Sequence, residues 1–321
     1  MMETVMKPAR SFMGATLLGL ASLVCQAETK FPSAPVRIVV STPAGGASDT
    51  TARILAEGLA AKWGQAVIVE NKPGASGTIG AATVARAAAD GYTLFFGTGS
   101  THVVAPLMLP QTPYDPQKDF TPLAIVGDAP FALFVRKDLP VSSLQDLVAY
   151  ARKRPSETTF GTTGPATIYE VAARLLEREA QVSFNHVPYK GLVPMAMDVE
   201  AGRVDVGVGP IDGYLKSDRL KVLAILGSRR VEAMPDVPTS AQSGFPNTVV
   251  PVWAAVWGPS GIAADRAAIL SRSLIEVLSQ PRLQEKIGAT GVVVQPADGE
   301  SLRALMARDI KALADFAPKG N

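Results

Sequence analysis

Short apolar runs alternate with stretches of helical periodicity along most of this chain. Residues 36–40, Val-Arg-Ile-Val-Val, read as a buried strand, and residues 50–63 read as a helix. Between them lies Ser41-Thr42-Pro43-Ala44-Gly45-Gly46-Ala47-Ser48-Asp49. Two glycines permit a tight turn and leave backbone N–H groups uncovered by side chains. Either Ser48 or Asp49 is placed to cap the helix that follows. A strand at 66–70, a turn at 71–77, a helix at 79–88 and a strand at 92–96 come next. A second glycine-bearing polar loop, 97–101, ends that unit.

Apolar runs at 123–126 and 131–135 stand close together and mark a first crossing between domains. Ser142 or Ser143 caps a helix that reaches about residue 153, where Pro155 forbids continuation. The strand at 158–160 ends in a third loop, 161–167, followed by a helix to about 179. Strands at 184–187, 204–208 and 221–226 frame a helix at 195–201. Pro235, Pro238, Pro246 and Pro251 make the next stretch linker-like, which marks the second crossing. A strand at 253–257 and helices at 264–279 and 301–316 complete the pattern. Strands alternating with helices in this way predict a parallel α/β architecture. The expected domains are 28–128 with 249–321, and 129–248.

Composition supports this reading. Of 321 residues, 47% are hydrophobic and 19% charged, which fits sizeable cores and excludes a disordered chain. The formal charge is +2 and no basic stripe is present, so nucleic acid is not an expected partner. Lys7 and Arg10 precede an apolar run at 12–24 that is short for a membrane span, and Cys25-Gln26-Ala27 places small residues at −3 and −1. Residues 1–27 therefore read as a signal peptide cleaved after Ala27, with a bacterial periplasm as destination. Cys25 is the sole cysteine and raises a lipoprotein alternative, although Val24 stands where a small residue is wanted. Cleavage removes Lys7, Arg10 and Glu3, lowers the formal charge to +1 and leaves no cysteine.

Loops 41–49, 97–101 and 161–167 share glycine, hydroxyls and an open helix start. In open α/β sheets ligands lie beyond the carboxyl ends of strands, so two of these loops belong on one wall of a cleft and the third on the other. Helix N-termini favour anions. The candidate contacts are Thr42, Gly45, Gly46, Ser48 and Asp49 on the first loop, and Thr98 and Ser100 on the second. Thr162, Thr163, Gly164, Ala166 and Thr167 belong to the third. Tyr189 either points its hydroxyl into the cleft or packs against the next helix. His186 reads as structural, and Trp253 and Trp257 as core. Signals for catalysis are sparse: two histidines, no metal-ligand spacing and no G-x-S-x-G elbow. No metal or other cofactor is implied.

Taken together, several motifs resemble the Bug-type receptors of tripartite tricarboxylate transporters. They are Gly45-Gly46-Ala47-Ser48-Asp49 with Ala52-Arg53, Val69-Glu70-Asn71-Lys72-Pro73-Gly74-Ala75-Ser76-Gly77, and Asp90-Gly91-Tyr92-Thr93-Leu94. Tyr114-Asp115-Pro116, Asp119-Phe120, His186-Val187-Pro188-Tyr189-Lys190-Gly191 and Pro235-Asp236-Val237-Pro238-Thr239 continue the series over nearly the whole mature chain. The resemblance implies a two-domain periplasmic binding protein of type II-like form, closing on a small carboxylate without catalysis. It assigns residues 42–49 as the proximal loop and 162–167 as the distal one. Pro165, Tyr169 and Glu170 depart from the family pattern in the distal loop. The expected partners are a small organic acid and the membrane subunits of a transporter, with the receptor acting as a monomer. An exported enzyme using Asp49 and Tyr189, and a receptor that presents its ligand to a sensor, are the alternatives.

Overall fold

In the computed structural model, which describes residues 1–3, 31–109, 111–164, 167–211, 217–227, 229–232 and 234–316, the first apolar run is strand β1 (Val36–Val40). Nearly all of the expected signal peptide, with its cleavage site after Ala27, falls outside the described residues, as do Pro165 and Ala166. Helix α1 (Ala47–Trp63), β2 (Val67–Asn71), α2 (Thr78–Ala85) and β3 (Thr93–Thr98) follow. β1 pairs in parallel with both β2 and β3, as helix-linked strands must. A wide helical turn at Ser100–Val104 runs into the short α3 (Ala105–Met108) and then β4 (Phe120–Asp128).

Next come β5 (Phe131–Arg136), α4 (Leu144–Arg152), β6 (Thr159–Thr162) and α5 (Ile168–Ala180). After them lie β7 (Asn185–Pro188), α6 (Leu192–Glu200), β8 (Val206–Pro210) and β9 (Leu220–Ile225). The chain continues through β10 (Trp253–Pro259), α7 (Ala264–Leu278), α8 (Pro281–Gly288), β11 (Val293–Asp298) and α9 (Gly299–Leu313). Two mixed sheets result, one ordered β11-β4-β10-β3-β1-β2 and the other β7-β6-β8-β5-β9. The chain passes between them twice, after β4 and before β10. β10 runs antiparallel to both neighbours, β3 and β4.

The main departures from the sequence pattern have local causes. Helix α1 begins at Ala47 rather than residue 50, because Gly46 adopts extended backbone and serves as N-cap. The 97–101 loop is strand through Thr98 and helical from Ser100. α8 and β11 were not anticipated. α8 buries only Leu283 and Ile287, and β11 is an edge strand that contains Pro296, a residue tolerated at edges. Ser143 caps α4, its hydroxyl accepting the Asp146 N–H at 3.0 Å.

Trp253 and Trp257 are buried, as their strand predicts, and Trp253 Nε1 donates to Asp309 Oδ2 at 2.8 Å. In the other sheet His186 sits between two carboxylates on one face of α5. Its Nδ1 lies 3.1 Å from Glu170 Oε2 and its Nε2 lies 3.0 Å from Glu177 Oε1. Both nitrogens can donate only if the ring is protonated. The Glu170 bond, then the Glu177 bond, outweigh burial and push the pKa from 6.5 to about 9. Because the folded value lies above the unfolded one, this stabilisation is complete below about pH 6.5 and is lost as pH rises through about 9. The loss corresponds to roughly 3 kcal/mol at most. Urea midpoints are expected to fall over that range for the wild type, and much less for His186→Gln. A flat wild-type profile would contradict a protonated His186.

Candidate functional site

A single buried carboxylate organises the loop after β1. Asp49 is 2% exposed in the first turn of α1. Its Oδ2 accepts from the Gly45 N–H at 2.9 Å and from Arg53 Nε at 3.0 Å. Oδ1 accepts from Asn71 Nδ2 at 2.8 Å and lies 2.9 Å from Arg53 Nη2. Asn71, at the end of β2, also donates to Thr42 O at 3.0 Å. Burial alone would raise the Asp49 pKa, but the bonds from Arg53, Gly45 and Asn71 prevail and hold it at about 2.

Two sequence expectations are corrected here. Neither Ser48 nor Asp49 is the N-cap; Gly46 is, with no side-chain bond. The Gly45 N–H, read from sequence as open to a ligand, is donated to Asp49. The reason is geometric. A carboxylate three residues inside a helix can reach back over its first turn, and an arginine at i+4 neutralises it there.

The second loop is equally fixed. Thr101 Oγ1 donates to Thr98 O at 3.0 Å and accepts from the Thr98 N–H at 3.1 Å. It also lies 3.0 Å from His102 Nδ1. Since the hydroxyl has one proton, already given to Thr98 O, the imidazole carries its proton on Nδ1 and donates. Its Nε2 has no partner among the described residues, and burial holds the ring neutral with a pKa of about 3. His102 stacks on Trp257 at 4.1 Å, and Tyr114 donates its hydroxyl proton to Thr101 O at 2.6 Å. Residues 98–101 are thus anchored to the core.

A cavity of about 600 Å³ opens beside these loops, within the usual range for small-molecule sites. Of the residues named from the sequence, Thr42, Ser48, Thr98, Ser100 and Thr163 line it. Gly45, Gly46 and Asp49 are not part of its wall, although Asp49 shapes the loop that is. Thr162 is 1% exposed, and its Oγ1 accepts weakly from the Gly164 N–H at 3.4 Å. Thr167 caps α5, with its hydroxyl donating to Gly164 O at 2.7 Å. Ala166 lies outside the described residues. Tyr189 takes the second of its two readings: its hydroxyl donates to Asp198 Oδ2 on α6 at 2.7 Å. Burial, then that bond, push its pKa up to about 12.

Sequence reasoning did not single out several wall residues: Ser41, Ser76, Lys190, Phe96 and Phe131. Ser76 had a signal in its glycine-rich turn. There Ala75 and Ser76 take φ of 47° and 55°, a strained conformation of the kind that persists where the surroundings fix it. Trp253, read as core, is both core and wall. Lys190 is the one charged side chain lining the cavity among the described residues. Thr42 Oγ1 is buried with no partner among the described residues. Among the described residues no three His, Cys, Asp or Glu cluster to hold a metal. Hydroxyls with one ammonium group suit an anion, held chiefly by hydrogen bonds.

This arrangement has relatives. A family profile described as the tripartite tricarboxylate transporter family receptor matches residues 51–315. The chain belongs to that receptor family. Protein BugT of Bordetella pertussis is 33% identical over 300 residues, covering 92% of this receptor and 91% of BugT. The solved structure of the periplasmic binding protein BugD has 30% identity and a TM-score of 0.74, over 89% of this receptor and 97% of BugD. An R. palustris protein solved with adipate has 30% identity and a TM-score of 0.79, over 89% of this receptor and 97% of that protein. The receptor shares their two-domain α/β fold. No helix among its described residues is long and apolar enough to cross a membrane.

Proposed function

We propose that this receptor captures a small organic acid in the periplasm and delivers it to the membrane subunits of a tripartite tricarboxylate-type transporter. One observation carries the reading: the 600 Å³ cavity is walled by Thr42, Ser48, Thr98 and Ser100 from one sheet and by Thr163, Tyr169 and Lys190 from the other. A ligand that touches both sets favours the closed form by its extra contacts there. The moving bodies are residues 28–128 with 249–321, and residues 129–248. Residues 1–27 act as the export signal, and the mature receptor works as a monomer.

Binding without catalysis is the reading that the side chains favour. The acid–base pair an enzyme would need, Asp49 and Tyr189, is spent elsewhere, on Arg53 and on Asp198. Adipate bound by an R. palustris relative supports a carboxylate ligand. Trp253 in the wall supplies a reporter. A bound acid is expected to change tryptophan fluorescence and raise the unfolding temperature, whereas its amide does neither. At 100 times the dissociation constant the gain is about 2.7 kcal/mol. Equal effects from acid and amide would sink the carboxylate reading.

A further inference from the structure

The two sides of the cavity differ in chemistry. Loops of the six-stranded sheet bring hydroxyls, among them Ser41, Thr42, Ser48 and Ser100. The five-stranded sheet and its helix α5 bring Phe131, Ile168, Tyr169 and Pro210, with Thr163 and Lys190 beside them. Phe131 and Tyr169 form a tilted ring pair, 5.2 Å between centroids at 48°. Such a pair offers a third ring both a face and an edge to pack against.

Charge narrows the choice further. Lys190 is the only charged wall residue among those described, and no described carboxylate or arginine lines the cavity. One carboxylate can be matched by the hydroxyl wall and Lys190. A second, projecting toward Phe131 and Tyr169, would lose its water and find no second cation in the described wall to pair with, which is costly for any ion. An apolar ring in that place releases water from two apolar surfaces at once.

We infer that the ligand is a monocarboxylate with an aromatic body, its carboxylate on the hydroxyl wall and its ring against Phe131 and Tyr169. This rests on the carboxylate-receptor reading above and narrows it. Phe131 and Tyr169 are then the specificity-determining residues, and the receptor differs from its adipate-bound relative in the class of acid it takes.

Calorimetric titration of the purified receptor tests this with benzoate, phenylacetate and 3-phenylpropionate against succinate, glutarate and adipate, and with benzamide as the neutral control. One aromatic acid is expected to bind at least about tenfold tighter than every dicarboxylate, a difference of about 1.4 kcal/mol. Tyr169→Leu and Phe131→Leu, each checked by its ligand-free melting temperature, are expected to weaken that acid about tenfold or more. Tightest binding by a dicarboxylate overturns the inference and leaves the receptor reading standing. Binding of benzamide as tight as that of the acids, or of no acid at all, overturns both. An aromatic acid bound equally well by folded Tyr169→Leu and Phe131→Leu receptors overturns the assignment of the wall.

Discussion

Replacing Gly99 with alanine is expected to destabilise the receptor by about 3 kcal/mol or more, at the upper end for an overpacked site. The backbone there is ordinary, with φ −54° and ψ −30°, so dihedral strain is not the cause. Space is. An added Cβ would stand 2.0 Å from Pro251 O and 2.8 Å from Pro251 C. That carbonyl belongs to the segment leading into β10, and the next one, Val252 O, accepts from the Ala129 N–H at 2.7 Å. Relief would have to move either the Thr98–Thr101 ledge or the second interdomain crossing. Both line the cavity, so binding should suffer with stability. A circular-dichroism melt within a degree of wild type would show that the two segments can separate at no cost.

The other large effect is expected at Asp49. Asp49→Ala strands the Gly45 N–H and takes one partner from each of Asn71 and Arg53, so the first loop is held to β2 more weakly, through the Asn71 bond to Thr42 O. Breaking a buried ion pair costs about 3–5 kcal/mol, but Arg53 is half exposed and can hydrate its charge. The expected loss therefore falls below that range, at about 2–3 kcal/mol, with a fall in ligand affinity of about tenfold or more. The sign of the pH dependence is opposite to that of His186. Asp49 has a depressed pKa, so its contribution is complete above about pH 4 and is lost as pH falls toward 2. Wild type and Asp49→Asn should therefore converge in stability in strong acid. Unchanged affinity in a folded Asp49→Ala receptor would remove Asp49 from any part in the site.

Much of the fold was legible because the signals are local. Pro155, the hydroxyl cap at Ser143 and the short β-branched runs each act within a few residues. The cavity's hydroxyl side was legible for the same reason, since Thr42, Ser48, Thr98 and Ser100 sit on loops that directly follow strands. Its aromatic side was not. Phe131 and Trp253 look alike in sequence, each at the start of a buried strand, and only the meeting of both crossings at one cavity places them in its wall. The role of Asp49 was hidden too, because its partners come from residues 45, 53 and 71 at once. Tyr189 had two open choices that depended on where Asp198 would fall.

The place of β10 has a consequence for how the receptor comes into being. It fills the centre of the six-stranded sheet, between β3 and β4, yet it follows the entire five-stranded sheet in the chain. Until residue 259 is available, β2-β1-β3 and β4 are separate pieces, while every strand of the other sheet has already been supplied. A chain emerging N-terminus first therefore completes one half early and leaves the other open, a long-range closure of the slow kind. Trp253 arrives with β10. No nascent fragment that stops short of it has a closed site, so ligand capture belongs to the finished polypeptide alone.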